Sequence, residues 1–510
     1  MKRIDSLILL VNSLSKAERK AFVMRCRGNA GDLTRKSYSF IYRLISDDHL
    51  CDGNTVKEQF LLRYPGGAFE VEVKYLYDKI TETLMSLRPV KDITYSLLND
   101  IGKARMFFER SLFEESFELT ASVIEKARRL GLNEIVLMAQ KLELEFFLSL
   151  DFPGISEREL FEKHTLQRKT LKSISLITEH ASLYNLLRQR MLHIGSIHTS
   201  EQQNIMHDLV MSEFYSFSAE SEKSFELERN HRMFQASYLM ETGDMEGALT
   251  VYSSLHRLFE ENPGNPASTP IYHLSVLEGI LRALRFARRY GDMEIFLEKV
   301  RAMAVKSSSD MKANILCLLF QYELVPHLDT GDFSSCRDIV ARYRDILGGK
   351  ESRLLSVREC ELMLYLAIVE LGLGNWKKVN RIIAQAMVNQ NIKYLPMMRT
   401  VRLVRLMAYY ELGEHDLLQY EARSILRSSG KFVFATERMM LRFLANSELP
   451  PMKRQRMAIW NKLSPVLDKL SADKYERKLL LHFDFTAWVE TKLTGVPLSE
   501  VLARKSKPYV

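Results

Sequence analysis

The stretch ETGDMEGALTVY, residues Glu241 to Tyr252, interrupts a helical pattern at Gly243 and resumes it at once. A glycine here can close a helix, because it adopts the left-handed backbone conformation that costs other residues free energy. Asp244 can then start the next helix by accepting a hydrogen bond from a backbone N–H group. An apolar stripe follows, in which Ala248 is placed to face the preceding helix. The stretch therefore predicts two antiparallel helices joined by a tight turn.

Related motifs recur downstream: TGDMEGALTVY, YGDMEIFLEKV, TGDFSSCRDIV, LGNWKKVNRII and LGEHDLLQYEA. Their turn glycines are Gly243, Gly291, Gly331, Gly374 and Gly413, at intervals of 48, 40, 43 and 39 residues. RSLFEESFELT, from Arg110, is an earlier copy with Ser111 in place of glycine. One helix pair cannot bury its apolar face alone, so we expect the pairs to stack into a solenoid.

These motifs resemble the tetratricopeptide repeat, a helix–turn–helix unit of about 34 residues. With Gly243 at the turn of that repeat, Ala248 and Tyr252 occupy its small and aromatic second-helix positions. Its opening Trp is replaced here by Arg232, Met363 and Arg402. The whole chain also resembles uncharacterised bacterial helical-repeat proteins, a likeness that implies no function. The resemblance implies an all-α fold, an α-solenoid of degenerate tetratricopeptide-like helix pairs with an N-terminal helical unit.

Four regions are expected along the chain. They are an N-terminal helical unit at 1–95, worn helix pairs at 96–230, tetratricopeptide-like repeats at 231–430 and a C-terminal helical cap at 431–510. In the first region, Ser15 and Glu18 have the spacing of a capping box and predict a helix start. In the second, Asp151 to Glu157 predicts a turn, because it contains Pro and Gly.

Composition favours long helices joined by short turns, because Gly and Pro number 22 and 13 among 510 residues. Apolar residues make up 46% and charged residues 27%, as in ordinary globular proteins. Five cysteines without C-x-x-C spacing indicate free thiols in a reducing compartment. No apolar run reaches the length of a membrane span, and LILLV near the N-terminus is too short for a signal-peptide core. We therefore expect a cytoplasmic protein with no membrane contact.

Motifs for chemistry are missing from the sequence. It contains no H-E-x-x-H or Cys/His cluster for zinc, no G-x-S-x-G nucleophile motif and no G-x-x-x-x-G-K-[ST] phosphate loop. Adjacent carboxylates such as Glu114 and Glu115 diverge by about 100° around a helix axis, which disfavours a shared acid–base site. We expect no enzymatic activity, no cofactor and no metal site.

Two arginine stripes are the candidate binding surface, since each lies on the first helix of a pair and the resemblance implies that first helices line a concave groove. The residues concerned are Arg282, Arg285, Arg288, Arg289, Arg399, Arg402 and Arg405, with Met407 and Tyr410 as further groove positions. Arginine can bind carboxylate or phosphate through two parallel hydrogen bonds. The stripes therefore predict an acidic peptide or nucleic acid as partner. The alternative is a solvated face, or arginines paired with neighbouring glutamates.

The predicted function is a non-enzymatic protein–protein interaction scaffold or adaptor that binds a protein or peptide in the groove. The alternative is a signal-responsive regulator, with a basic N-terminal unit that contacts nucleic acid and repeats that sense a partner. Its support is a net charge of +8, with ten Lys or Arg against five Asp or Glu in residues 1–50. From Met452 onward the ratio is twelve to six. No particular oligomeric state is predicted.

Overall fold

Regular structure in the chain is entirely α-helical across the residues that the computed structural model describes, with no strand among them. The described residues are 3–27, 37–47, 52–193, 204, 206–218, 224–307, 309–344, 356–388, 395–428, 433–445 and 449–506. They form two compact units, residues 1–171 and 172–510. Every described helix lacks the length or the apolar character that a membrane crossing requires.

The first unit is built from eight helices and the start of a ninth. They are α1 (Arg3–Ser13), α2 (Lys16–Arg27), α3 (Ser37–Asp47), α4 (Gly53–Arg63), α5 (Phe69–Lys91), α6 (Ile93–Glu109), α7 (Phe113–Arg129), α8 (Asn133–Ser149) and α9 (Glu157–His193). Helix α5 contacts each of α1 to α4 around a core that includes Leu7, Ile41 and Phe60. Helix α6 contacts both α7 and α8.

Two local predictions in this unit are confirmed. The backbone N–H of Ser15 donates to Glu18 Oε2 at 2.9 Å, and that of Glu18 donates to Ser15 Oγ at 3.3 Å, which is a capping box before α2. Ser111, between α6 and α7, has a φ of 62°. It therefore occupies the left-handed conformation that the motif assigns to glycine.

The second unit contains the rest of α9 and sixteen further described helices. They are α10 (His207–Ser218), α11 (Phe225–Thr242), α12 (Met245–Glu261), α13 (Pro270–Phe286), α14 (Tyr290–Lys306), α15 (Ser309–Thr330), α16 (Phe333–Arg342), α17 (Ser356–Gly372), α18 (Trp376–Val388), α19 (Met398–Leu412), α20 (His415–Ser428), α21 (Ala435–Ala445), α22 (Lys453–Ala472), α23 (Arg477–Leu480), α24 (Phe485–Thr494) and α25 (Leu498–Lys505).

Helices α11 to α21 pack neighbour to neighbour. Each contacts the next one along the chain, and the alternate helices α13, α15, α17, α19 and α21 also contact one another. From Leu274 to Phe286, every residue of α13 is buried except Ser275 and Arg282. This is expected of a helix that is covered on several sides. Helix α18, by contrast, buries a single stripe of Val379, Ile383 and Ala386. The alternate helices thus form the interior of the series.

The turns between helices follow the motif at four of its five glycines. Gly243, Gly331, Gly374 and Gly413 have φ values of 79°, 78°, 76° and 75°. Asp244 accepts from Gly247 N–H at 3.0 Å and Asp332 accepts from Ser335 N–H at 3.1 Å. Both aspartates therefore cap the following helix, as their position after the glycine predicts.

The prediction is wrong at Gly291, which lies inside α14. Helix α13 ends at Phe286, and the left-handed residue of the turn is Arg288, with a φ of 56°. Arg289 N–H donates to Leu284 O at 2.9 Å, just as Asp244 N–H donates to Leu239 O at 3.0 Å. Arg288 is thus the equivalent of Gly243. The sequence pattern missed this, because arginine is not a residue expected at positive φ.

The C-terminal segment, residues 473–506, folds back over the ends of earlier helices. Arg477 donates to Phe286 O at 2.8 Å, at the end of α13, and Trp488 Nε1–H donates to Glu411 at 3.0 Å, at the end of α19. Helix α25 contacts α15. A helix C-terminus carries a partial negative charge, so basic groups such as Arg477 are favourable there.

Candidate functional site

Arg285, in the first predicted stripe, is buried within the second unit at 3% exposure. Its Nε and one terminal nitrogen donate to the two carboxylate oxygens of Asp329 on α15, at 2.9 and 2.8 Å. The other terminal nitrogen donates to the hydroxyl of Tyr365 on α17 at 2.7 Å. Burial alone would lower the pKa of Arg285, but the negative charge of Asp329 outweighs burial and raises it. The guanidinium therefore stays charged and holds three helices together.

A second group of ion pairs links α13 to α17. Arg358 donates to Glu278 at 2.9 Å and to Glu361 at 2.8 Å, and Arg282 donates to Glu278 at 3.1 Å. Side chains of α13 and α17 therefore meet, although α15 contacts both helices. The Arg282 side chain remains 43% exposed. It is thus paired but accessible.

The last two arginines of the first stripe, Arg288 and Arg289, lie in different environments. Arg288 lines a cavity, described below. Arg289 is exposed, and its Nε donates to Asp292 at 2.7 Å. The four arginines of this stripe therefore do not form one open face.

The second stripe, on α19, combines two half-buried arginines with one exposed arginine. Arg399 donates to Glu437 on α21 at 3.0 Å, and Arg405 lies 3.4 Å from Glu421 on α20. Arg402, between them, is exposed and makes no hydrogen bond or ion pair with any residue that the structure describes. Arginine side chains three residues apart lie on one face of a helix. These three guanidinium groups therefore share a face on which Arg402 is unpaired within the described ranges.

The two predicted groove residues that are not arginines, Met407 and Tyr410, are packed within the second unit. Met407 is fully buried. The ring of Tyr410 packs edge-on against Trp488 of the C-terminal segment, with 5.3 Å between ring centroids. Both side chains contribute to packing in the second unit.

A cavity of about 290 Å³ lies where the C-terminal segment meets α13, α15 and the end of α22. Its apolar walls include Phe286, Leu328, Leu481 and Phe483. Its charged and polar residues include Arg288, Asp468, Arg477, His482, Asp484 and Lys505. No short sequence motif marks this site, because the cavity forms only when three distant stretches of the chain meet. The sequence signals for it were the basic excess after Met452 and the first arginine stripe, since Arg285 and Arg288 both line the cavity.

Two buried histidine groups also have no sequence motif, because their members are far apart in sequence. In the first, His231 Nδ1 is hydrogen-bonded to Glu213, and His180 Nδ1 lies 3.4 Å from the same carboxylate. The ring of Phe217 stacks on His231 at 3.5 Å. Burial alone would raise the pKa of Glu213, but the two neighbouring rings outweigh burial and lower it.

The second group joins α12, α13 and α14. His256 Nδ1 lies 2.9 Å from His273 Nε2, and Lys299 Nζ lies 2.8 Å from His256 Nε2. Burial and the neighbouring His256 lower the pKa of His273 to about 4. Among the residues placed by the structure, no three His, Cys, Asp or Glu side chains converge as metal ligands.

The cysteines that the structure describes are free thiols, as predicted, and all four are buried: Cys26, Cys317, Cys336 and Cys360. Burial raises the pKa of Cys317 and of Cys336 to about 12, and that of Cys360 to about 11. A thiol that resists ionisation in this way is a poor nucleophile near neutral pH. Cys51 lies outside the described residues.

No protein-family model, no curated protein and no solved structure matches this chain.

Proposed function

We propose that this chain is a non-enzymatic protein–protein interaction scaffold of the bacterial cytoplasm, built as an α-solenoid of tetratricopeptide-like helix pairs. The supporting pattern is the run from α11 to α21, in which each helix contacts the next and alternate helices contact one another. Left-handed glycines at Gly243, Gly331, Gly374 and Gly413 join the helices within the pairs. Stacked helix pairs present extended surfaces that suit peptide and protein partners.

The observation that carries the proposal is the arginine face of α19, on which Arg402 is exposed. Arg402 has no partner among the described residues, and it lies between Arg399 and Arg405. Each arginine has five N–H donors in a planar fork that matches a carboxylate. The proposed partner is therefore an acidic peptide or protein segment that lies along this face.

The proposed contact surface includes fewer residues than the two predicted arginine stripes. Arg285 and Met407 are buried, so they support the surface from within. The side chains of Arg282, on α13, and Arg289, in the turn after it, are partly exposed, although both are paired with carboxylates. The α19 face is the stronger contact, because it includes Arg402, which has no partner among the described residues.

Capture from a lysate of the source bacterium, treated with nuclease, tests the proposal. The full-length chain is compared with Arg402→Glu and with Arg381→Glu. Arg381 is an exposed arginine on α18 that also lacks a partner among the described residues, so it controls for charge alone. We expect a discrete set of proteins that Arg402→Glu loses and Arg381→Glu retains. Equal capture by all three forms would contradict the proposal.

The regulator alternative remains a prediction, and the same capture separates it from the scaffold. In α2, Arg19 donates to Leu14 O and Val11 O, both at 3.1 Å, and Arg25 donates to Ser86 Oγ at 2.9 Å. These two cations are thus used inside the first unit, while Lys16 and Lys20 are exposed. Proteins that are captured only when nuclease is omitted would favour nucleic-acid binding. Such binding must also weaken steeply with salt, because counterions are released at each neutralised phosphate.

A further inference from the structure

The cavity at the C-terminal segment carries more positive than negative charge. Arg288, Arg477 and Lys505 reach it from three separate elements. The Arg285–Asp329 pair at its edge is internally neutral, because Asp329 accepts both hydrogen bonds of a bidentate contact and a third from Tyr290 at 3.0 Å.

Two further carboxylates face these three cations. Asp484 accepts from the backbone N–H groups of Thr486 and Ala487 at 3.0 and 3.2 Å, which caps α24, and it also lies 3.9 Å from Lys505 Nζ. Glu490, 3.8 Å from Lys505 Nζ, is neutralised by its own ion pair with Arg504. Asp468 completes the lining. Three cations and two carboxylates leave an excess of one positive charge.

His482 places an unsatisfied polar atom at the same cavity. Its Nδ1 is buried and has no hydrogen-bond partner among the described residues. Burial and the nearby Arg285 and Arg282 lower the pKa of His482 to about 3, so the ring is neutral near pH 7. A buried polar atom without a partner is unfavourable, and a bound polar group would remove that cost.

Arg288 adds backbone strain to the site. It adopts a φ of 56° at the position where the equivalent turns have Gly243, Gly331 and Gly413. A side chain in the left-handed region costs free energy that glycine avoids. Arginine at this position destabilises the turn relative to glycine, but it places a guanidinium group at the cavity. A binding role for that group would explain why arginine occupies the position.

We propose that this cavity binds a small organic monocarboxylate with an apolar body. Arg288, Arg477 and Lys505 hold its carboxylate, and Phe286, Leu481 and Phe483 cover its body. A monoanion matches the single excess positive charge, whereas a phosphate dianion would leave the cavity with a net negative charge. A volume of about 290 Å³ suits a ligand at the small end of the usual range.

Titration calorimetry on the full-length chain tests this proposal, with a series of monocarboxylates from acetate through hexanoate to phenylacetate and indole acetate. Inorganic phosphate is a separate arm. We expect one-to-one binding that strengthens as the apolar body grows to fill the cavity. Hydrogen exchange with the best monocarboxylate should show slower exchange around residues 286–290 and 477–484.

Three variants test the site. Arg288→Gln should weaken binding tenfold or more (about 1.4 kcal/mol), because it removes one cation. Arg289→Gln, the matched control at the next residue, should stay within about twofold of wild type, since Arg289 does not line the cavity. Arg288→Gly should lose binding while the unfolding temperature stays the same or rises, which separates ligand contact from folding.

Three results would overturn the proposal. They are no heat of binding from any monocarboxylate at 10 mM, binding of phosphate alone, and unchanged affinity in Arg288→Gln. None of these results bears on the arginine face of α19, so the cavity proposal and the scaffold proposal can fail separately.

Discussion

Arginines inside the second unit are matched with carboxylates on other helices. Arg285 pairs with Asp329, Arg358 with Glu278 and Arg399 with Glu437. Removing one member of such a pair leaves the other charge without compensation, which is more costly than replacing both members by apolar side chains. These pairs should therefore show strong coupling in mutational cycles.

Arg285→Met should lower the free energy of unfolding of the second unit by about 3 kcal/mol, because Asp329 loses its bidentate partner. Adding Asp329→Leu should recover part of this loss. All three tryptophans, Trp376, Trp460 and Trp488, lie in the second unit, so urea unfolding followed by tryptophan emission reports on that unit alone. A loss under about 1 kcal/mol in the single variant would show that the pair is of little importance.

The His256–His273 contact should make the second unit sensitive to acid. The folded-state pKa of His273 is about 4, below the value of about 6.5 for an unfolded chain. The unfolded state therefore takes up a proton first as the pH falls. The stabilisation is complete above pH 6.5 and declines between pH 6.5 and 4, by up to about 2 kcal/mol for this group. His482, with a pKa of about 3, acts in the same direction.

His273→Phe is the variant that checks this sign, since the ring already stacks on Phe259. The unfolding temperature of wild type should fall between pH 6.5 and 4 more steeply than that of His273→Phe. His415→Gln, at an exposed histidine, is the control variant. Parallel profiles for wild type and His273→Phe would show that this group does not set the acid sensitivity.

At the scale of elements, the turn glycines share a conformation but differ in their surroundings. A Cβ atom on Gly331 would lie 2.7 Å from the backbone of Ser499 at the start of α25. A Cβ atom on Gly413 would meet nothing within 4 Å. The turn at Gly413 therefore needs glycine for its φ alone. The turn at Gly331 also needs glycine because the C-terminal segment approaches its backbone closely.

Gly413→Ala should cost about 1 kcal/mol, the penalty of the left-handed conformation. Gly331→Ala should cost about 3 kcal/mol, because the backbone of α25 must also move. Urea unfolding of the two variants, followed by tryptophan emission, gives the difference directly. Equal costs would mean that α25 is not seated against this turn.

At the scale of the whole molecule, the C-terminal segment is part of the core of the second unit. Phe485, Trp488, Val489, Leu493 and Val501 are at most 1% exposed. Burial of large apolar side chains is the main source of stability, so helices α11 to α21 depend on this segment.

Truncation after Ala472 should abolish cooperative unfolding of the second unit, because the ends of α13, α15 and α19 lose their apolar cover. The remaining Trp376 and Trp460 should then emit at longer wavelength in the absence of urea. Trp488→Ala in the full chain should cost about 3–5 kcal/mol and retain a cooperative transition. A truncated chain with a wild-type unfolding curve would contradict the assignment of this segment to the core.

The helical character of the chain and most of its turns can be predicted from local sequence alone. The left-handed residues at Ser111, Gly243 and Gly413 and the capping box at Ser15 depend on contacts within a few residues. Such local geometry follows from residue type, and a short motif is enough to identify it.

The burial of particular arginines and the position of the cavity depend instead on contacts between distant parts of the chain. Arg285 meets Asp329 and Tyr365 across 44 and 80 residues of sequence, and Arg477 meets Phe286 across 191. Arg285 and Arg402 occupy similar positions in their helical stripes. Arg285 nevertheless forms a buried ion pair, whereas Arg402 is an exposed side chain with no partner among the described residues. The reason is physical: a stripe specifies the side of a helix, but burial and charge pairing depend on which distant helices pack against that side.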